Sequence, residues 1–326
     1  MNFKTIINFI GEQAVPNYVP VKWAIEQLGV KNVISLFSGR TQKVNDRLNR
    51  IYREKFRVNV DGQEISPYDI SHIESKLDEI LPDIQNPIFN LTGGTKPMTF
   101  AGLHVALKRG IPFLYFQSEG GKMVIRMHEV KTGHIKPKEP IEVPEDIYTL
   151  EEYLSIHFDN FSLEQRRQSG RFFKETSIGE KIENQIIDGL RAAEIEVLKG
   201  VNIPPDIQID MFVKYGHNVG IIEVKKTLKA TAINQIALPS RQVTLGTYIR
   251  RIVLGGPPRD ETEMKNIISR AELVNVYVIM LKSLKENLLS EDDKGKLVEE
   301  VKIWIQDPKF KNFDKMKENL LKEFSK

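Results

Sequence analysis

The chain contains no cysteine. That absence excludes disulfides, thiolate zinc sites, iron–sulfur clusters and cysteine nucleophiles together. Histidine is scarce and scattered. Of 6 residues, only His128 and His134 stand near each other, across an expected turn, and not at a convincing metal-ligand spacing. Any metal is therefore expected on carboxylates, which means Mg²⁺ or Mn²⁺. Long apolar runs are also missing: none approaches the roughly 18 residues that span a bilayer, so no membrane partner is expected. The N-terminal MNFKTIINFIGEQ has one Lys and a short apolar run but no small-residue cleavage site. It reads as a first strand rather than an export signal, and a cytoplasmic protein is expected. Nor is there a large excess of one charge. A formal charge of +3 does not indicate a permanent nucleic-acid coat and leaves room only for a local basic groove.

What is present suits a soluble globular protein. The 326 residues are 40% hydrophobic and 28% charged, and the length exceeds one typical core, so two domains are expected. The first half alternates strand-like and helix-like segments. An apolar run over 3–10 leads into a Pro-marked loop at 12–17 and a helical stretch ending near Leu28. A second buried run, 33–37, ends at Ser38-Gly39 and is followed by Val44, Leu48, Ile51 and Phe56 at helical spacing. A polar, hairpin-like insert over 58–65 precedes a helix expected over 67–81, with Ser66 as N-cap and Pro67 as first residue. Residues 88–91 read as a strand, Thr92-Gly93-Gly94-Thr95 as a turn, 97–109 as a helix and 113–116 as the next strand. Repeated units of this kind predict a parallel sheet with helices on both faces. Residues 123–130 read as an added antiparallel edge strand.

Composition then changes. Residues 131–144 are Pro-marked and charged, a linker or peripheral ribbon, and a helix is expected near 149–157. The expected organisation is a first domain over 1–145, a linker over 146–170, a second domain over 171–285 and a helical tail over 286–326 with a solvated charged face.

The second domain's informative stretch is IQIDMFVKYGHNVGIIEVKK, residues 207–226. Two apolar-alternating strands flank Tyr215-Gly216-His217-Asn218, a hairpin signal. With Gly216-His217 as a two-residue loop, Asp210 lies opposite Glu223, and Lys225 shares the face of Glu223. Two carboxylates and an ammonium on one sheet face invite a cation, and two carboxylates plus water is a common way to hold Mg²⁺. Such a metal can polarise a phosphate while Lys225 stabilises developing negative charge. Asp206 of the literal Pro205-Asp206 is the alternative ligand, but register places it too far along the strand to share a cation with Glu223. An ExK alone is a common solubility pattern on exposed strands, but Ile221-Ile222 put Glu223 at the end of a buried strand.

Asp210…Glu223-Val224-Lys225 resembles the D…(D/E)xK signature of restriction-endonuclease-like enzymes. In that fold a preceding helix often supplies another carboxylate. Gly179-Glu180-Lys181-Ile182-Glu183 opens such a helix, with Ile182, Ile186 and Leu190 inward, and Glu183 borders the inward stripe more closely than Glu180. The resemblance implies a catalytic set of Glu183, Asp210, Glu223 and Lys225, with Asp210 and Glu223 as metal ligands. Downstream, Gln235 and the phosphate-contact candidates Arg241, Arg250 and Arg251 are weighed equally against plain surface roles.

In the first domain, Asn90-Leu91-Thr92-Gly93-Gly94-Thr95-Lys96-Pro97-Met98 follows a buried strand and opens a helix. Glycines admit close backbone approach, the helix start favours anions, and Lys96 adds a charge. The spacing is not that of a Walker A loop. Loops at 11–17 and 38–41 fall at the same expected sheet edge. GEQAVPN, SGRT and NLTGGTKPM together resemble a CARF domain, the sensor of cyclic oligoadenylates in type III CRISPR defence. A CARF domain followed by a PD-(D/E)xK nuclease resembles a family of ring-nucleotide-activated nucleases. The resemblance covers about residues 1–256, and leaves 131–144 and the segment after Ser290 unmatched. One departure is Gln208 where the family's strand usually carries an acid.

The resemblance implies an α/β protein: a Rossmann-like CARF domain with a parallel sheet, a restriction-endonuclease-like domain and a helical tail. It implies ligand contacts from Gln13, Asn17, Ser38, Thr41, Thr92, Gly93, Gly94, Thr95, Lys96 and Met98. It also implies cyclic tetra-adenylate as activator and cleavage of DNA or RNA. A ring of even symmetry is read most economically across a two-fold axis, so a homodimer holding one ring is expected. Two other readings stand beside it: a ligand-controlled nucleic-acid-binding regulator without cleavage, and a ring nuclease that degrades the cyclic oligoadenylate.

Overall fold

The computed structural model describes residues 2–119, 122–163, 178–205, 207–242, 249–307 and 310–325. They form two compact units, Met1–Asp159 and Asn160–Lys326.

The first unit runs β1 (Thr5–Phe9), α1 (Ala14–Leu28), β2 (Asn32–Phe37), α2 (Gln42–Phe56), β3 (Asn59–Glu64), α3 (Ile70–Ile80), β4 (Pro87–Asn90), α4 (Lys96–Arg109), β5 (Phe113–Glu119), β6 (Lys122–Lys131), β7 (His134–Pro137), β8 (Ile141–Glu142) and α5 (Leu150–His157). Its sheet has the order β3-β2-β1-β4-β5-β6-β7, with β8 also paired to β6. The first five strands are parallel and β6 is antiparallel to β5. Every residue of β1 is buried, as a central strand covered on both faces requires. Ile7, Phe9, Leu36, Phe89, Leu91 and Met98 belong to one core cluster that joins β1, β2, β4 and the start of α4. Strand order reverses between β1 and β4, and in such sheets ligands bind beyond the carboxyl ends at that point.

Several boundaries differ from expectation for identifiable reasons. The insert at 58–65 is the parallel strand β3, hydrogen-bonded to β2. It is an edge strand exposed along much of its length, so it carries no apolar alternation to announce itself. The helix expected from Pro67 starts at Ile70. Asp69 is its N-cap and accepts from His72 N at 3.0 Å, while Ser66 Oγ accepts from Tyr68 N and Asp69 N in the turn before it. Ala14 already begins α1, so the Pro16 loop is largely a first helical turn. β6 is not the sheet edge, because the peripheral ribbon supplies β7 outside it.

The segment expected as a linker from 146 begins inside the first unit. Glu152 on α5 accepts from Tyr18 Oη and Lys22 Nζ, each at 3.1 Å, and also from Lys55. Burial alone would raise this carboxyl, but Lys55, the Thr149 N–H and Lys22 together hold it below the usual range.

The second unit contains β9 (Ser162–Leu163), α6 (Ile178–Ala192), β10 (Glu196–Ile203), β11 (Ile207–Tyr215), β12 (Asn218–Lys225), α7 (Ala230–Gln242), β13 (Arg250–Gly255), α8 (Glu261–Val274), β14 (Tyr277–Met280), α9 (Glu291–Gln306) and α10 (Phe313–Phe324). The sheet order is β14-β13-β12-β11-β10-β9. The C-terminal segment is helical, as expected, and is packed into the second unit. Helix α9 packs across β11, β12, β13 and β14, and α10 packs on β14 and α8. Trp304 is fully buried and stacks on Tyr277 with centroids 4.6 Å apart. Asp293 and Glu300 of α9 are buried together with Leu297, Val301, Trp304 and Ile305, while its other charged residues are exposed or half-buried. Among the described residues no helix is long and apolar enough to cross a membrane.

Candidate functional site

Two constellations answer to the sequence motifs, one in each unit. At the switch point of the first unit, three loops follow β1, β2 and β4. Buried amides hold them. Asn90 Nδ2 donates to Asn8 Oδ1 at 2.8 Å, and Asn8 Nδ2 donates to the Asn17 carbonyl at 3.2 Å. Asn90 Oδ1 accepts from Thr92 Oγ1 at 2.6 Å, and Thr92 Oγ1 in turn accepts from Phe116 N at 2.9 Å. Pro20 cannot donate to the Pro16 carbonyl one turn back, and Asn90 Nδ2 approaches that oxygen at 3.5 Å. Asn8, Asn17 and Asn90 are each fully buried. Neutral amides satisfied in this way fix loop shape without adding negative charge.

Asn17 stands behind the first loop rather than on its face. Its Oδ1 accepts from Gly11 N at 3.1 Å, and its Nδ2 donates to the Gly11 and Gln13 carbonyls at 2.9 and 2.7 Å. Both amide hydrogens are used within the loop, and the side chain is fully buried. The third loop lies directly against the first. A Cβ on Gly11 would stand 2.8 Å from Gly94 N, and one on Gly93 would overlap Asn17 Oδ1 and the Phe9 carbonyl. Gly94 has φ +77°, which a side chain rarely tolerates.

Thr95 caps α4, accepting from Met98 N at 3.4 Å, and its Oγ1 also donates to the Pro67 carbonyl. Met98 is buried, with Sδ accepting from Thr95 N at 3.4 Å. Ser38 and Thr41 are buried too and cap the turn after β2. Of the ten residues expected at the ligand, the exposed side chains are therefore those of Gln13 and Lys96; Thr92, Gly94 and Thr95 are partly exposed, and Asn17, Ser38, Thr41, Gly93 and Met98 are buried.

The electrostatics of this edge are distinctive. The first turns of α1, α2 and α4 carry no acidic residue. Helices α3 and α7 lack one too, whereas α5, α8 and α9 carry two or three each. The positive ends of α1, α2 and α4 thus meet one sheet edge with no acid in their first turns, near Lys96 and with Glu12 just before α1, and favour an anion there.

In the second unit the hairpin has the expected two-residue turn, with Tyr215 opposite Asn218 and Met211 opposite Ile222. That register carries Asp210 opposite Glu223, one step beyond the last paired residues. There the strands open: Val224 N donates to Asp210 Oδ2 at 2.9 Å instead of a main-chain acceptor. Lys225 Nζ pairs with Glu223 Oε1 at 2.5 Å. Burial pushes the Glu223 carboxyl above its ordinary range, and Asp210 and then Glu183 push it the same way. The bond from Lys225 offsets only part of this.

Ile182, Ile186 and Leu190 of α6 face inward, and Glu183 beside them pairs with Lys199 Nζ at 3.1 Å. Among the described residues no three His, Asp or Glu side chains converge as a ready-made metal cage. Asp210 and Glu223 supply hard oxygen donors, and their mutual repulsion is what a bound cation would relieve.

Other expectations fare differently. Arg250 is buried near Asp307 and Tyr277, and Arg251 Nη1 donates to the Val274 carbonyl at 3.3 Å, so neither is presented to a phosphate. Gln235 is exposed on α7. Asp206 and the Arg241 side chain lie outside the described residues. The sequence reading passed over Asn8 and the structural role of Asn90. Their signal was available: a strongly polar residue at or next to the last position of two otherwise apolar strands. Lys199 as the partner of Glu183 had no sequence signal.

Residues 5–153 match the family model of the Card1 CARF domain. No curated protein matches the chain. Solved structures of similar fold include Can2 from Sulfobacillus thermosulfidooxidans in complex with cyclic tetra-adenylate, at 17% identity and TM-score 0.66, covering 93% of this chain and 97% of that one. Protein VC1899 from Vibrio cholerae aligns at 13% identity and TM-score 0.68, covering 93% and 98%. A type III CRISPR defence DNA nuclease activated by cyclic oligoadenylate aligns at 17% identity and TM-score 0.59, covering 81% of this chain and 48% of that one. The mixed α/β fold with its parallel N-terminal sheet is thus shared across nearly the whole chain, and the likeness to the Card1 CARF domain extends over residues 5–153.

Proposed function

We propose that this protein is a nuclease of the PD-(D/E)xK kind, switched on when cyclic tetra-adenylate binds the CARF loops, and that it acts in type III CRISPR antiviral defence in the cytoplasm. The observation that carries the reading is the hairpin register, which sets Asp210 across from Glu223 with Lys225 on the same face, in a chain that also matches the Card1 CARF domain. Two proteins of similar fold, one in complex with cyclic tetra-adenylate and one a DNA nuclease activated by cyclic oligoadenylate, support the reading.

On this reading Asp210 and Glu223 hold Mg²⁺ or Mn²⁺. The metal, when bound, supplies Lewis-acid polarisation of the phosphate and a more acidic water. Glu223 accepts from Lys225 at 2.5 Å, which keeps the ammonium at the sheet face where negative charge develops on the phosphate oxygens. The Val224 N–H fixes the Asp210 carboxylate and so limits the rearrangement needed to present its second oxygen. Glu183, restrained by Lys199, adds negative potential and an outer acceptor. In the sensor, the helix starts and Lys96 attract ring phosphates. Two copies related by a two-fold axis would double these donors around one ring, so we propose a homodimer.

The test incubates the protein with labelled RNA, single-stranded DNA and plasmid, in Mn²⁺ or EDTA, with and without cyclic tetra-adenylate, and analyses the ring afterwards. Metal-dependent cleavage only with the ring present is expected. Tight nucleic-acid binding without cleavage would instead establish the regulator reading, and loss of the ring would add ring-nuclease activity.

A further inference from the structure

The three CARF loops contain a single carboxylate, Glu12, and a single arginine, Arg40. The two are paired across the first and second loops, Arg40 Nη2 to Glu12 Oε1 at 2.6 Å. Both side chains are largely exposed, 72% and 60% respectively, so the pair is not part of the buried framework that shapes the loops. That framework is the amide network, which is complete without them. Their position is nevertheless specific. Glu12 follows Gly11, whose backbone lies against Gly94, and immediately precedes the N-cap of α1. Arg40 lies in the 3₁₀ turn that leads into α2. Both helices begin without an acidic residue in the first turn.

A carboxylate held against an arginine at an edge otherwise arranged for anions stands where a phosphate oxygen would bind. An arginine fork accepts carboxylate and phosphate in the same planar geometry. We infer that Glu12 is a built-in competitor for Arg40: a phosphodiester of the ring displaces Glu12 and takes its place on the guanidinium. The inference rests on the ring-sensing reading above and adds to it two residues with opposite roles. Arg40 is a ligand contact, and Glu12 sets the concentration at which the ring can claim it. An exposed ion pair of this kind is weak and screened by salt, so the exchange adjusts a threshold rather than blocking the site.

The experiment titrates cyclic tetra-adenylate into the full-length wild type, Glu12→Gln, Arg40→Gln and the double variant by calorimetry at low and moderate salt. Glu12→Gln is expected to tighten binding about threefold, with the gain shrinking as salt rises. Arg40→Gln is expected to weaken binding about tenfold, the scale of one charge-assisted bond to phosphate. If the pair only ordered the loops, both single variants would weaken binding together, and that result would overturn the exchange. Unchanged affinity in either single variant would overturn it as well. A wild type that binds no ring would remove the ring-sensing reading and the exchange with it. Circular dichroism of each variant separates lost contacts from lost fold, and since both side chains are exposed the melts should be unchanged.

Discussion

Beside the candidate ligand loops of the first unit, the buried polar groups are neutral amides, each hydrogen-bonded to a strand or loop next to it. At the open end of the hairpin in the second unit the half-buried Asp210 and Glu223 are carboxylates that repel one another. Even the buried carboxylates of the first unit are held low, Glu129 by Lys138 and Lys131 and Glu152 by two lysines and a backbone N–H. In the second unit Glu223 is held high, and Glu300 on α9 is pushed up to about 7 by burial, with Lys296 offsetting and Glu323 reinforcing the effect. A site that must receive a large polyanion is shaped by groups without charge, so its field is left to helix ends and a few cations. A site that must gather a cation is made of like charges held in proximity. The same contrast says where each site is vulnerable: the loops to steric intrusion, the hairpin to pH.

The largest effect should come from filling the contact between loops. Gly93→Ala places a methyl into Asn17 Oδ1 and the Phe9 carbonyl, neither of which can retreat without breaking the amide network. A loss of at least about 3 kcal/mol is expected in denaturant unfolding, with ring binding abolished. A stable, ring-binding Gly93→Ala would mean that the loops are soft.

The two units should next respond to pH in opposite senses. The folded-state pKa of Glu300 is raised, so its contribution is fully present below the unfolded carboxylate value and is lost as pH climbs through about 7. Glu300→Gln should therefore match the wild type near pH 4 and exceed it at pH 8, by up to about 3 kcal/mol. The Glu152 carboxyl is depressed, so its contribution is present at neutral pH and disappears as pH falls through its folded value. Glu152→Gln should be destabilised at pH 7, and the gap should close in acid. Thermal melts across pH 4–8 check both slopes, and parallel slopes would erase the distinction.

A smaller effect belongs to Lys96, exposed at the start of α4. Lys96→Ala should weaken ring binding about tenfold and leave the melt unchanged. Saturating ring should restore cleavage, since the hairpin is untouched. If affinity does not move, the anion edge is made by helix starts and Arg40 alone.

How much of this could be read from sequence follows the same division. The parallel sheet and its loops were legible because strands buried on both faces leave short continuous apolar runs, and the hairpin register because a two-residue turn joins strands of alternating pattern. β3 was not, because an edge strand with little buried surface leaves no such run. The helical character of the C-terminal segment was legible, but not the sheet face that α9 covers, because an apolar stripe shows that a helix is packed and not against what. At the sites, charge-bearing residues were found by type and spacing. Residues whose role depends on a partner distant in sequence were not, as with Asn8 and Asn90, separated by 82 positions, or Glu12 and Arg40. Type also misleads in the other direction: Asn17, expected at the ligand, instead holds the loop from behind.

The central claim is that the repelling carboxylates of the hairpin do the cleaving while the amide-held loops only sense. It is tested most directly by cleavage of a labelled nucleic acid by wild type and Asp210→Asn, each saturated with cyclic tetra-adenylate in Mn²⁺. Wild-type cleavage should depend on the ring. Asp210→Asn should lose more than about 100-fold, beyond the cost of losing merely an outer partner of a metal ligand. Its ring affinity should be unchanged and its thermal midpoint unchanged or slightly raised, since one of two repelling charges is gone. Full cleavage by Asp210→Asn would place the chemistry elsewhere and contradict the account.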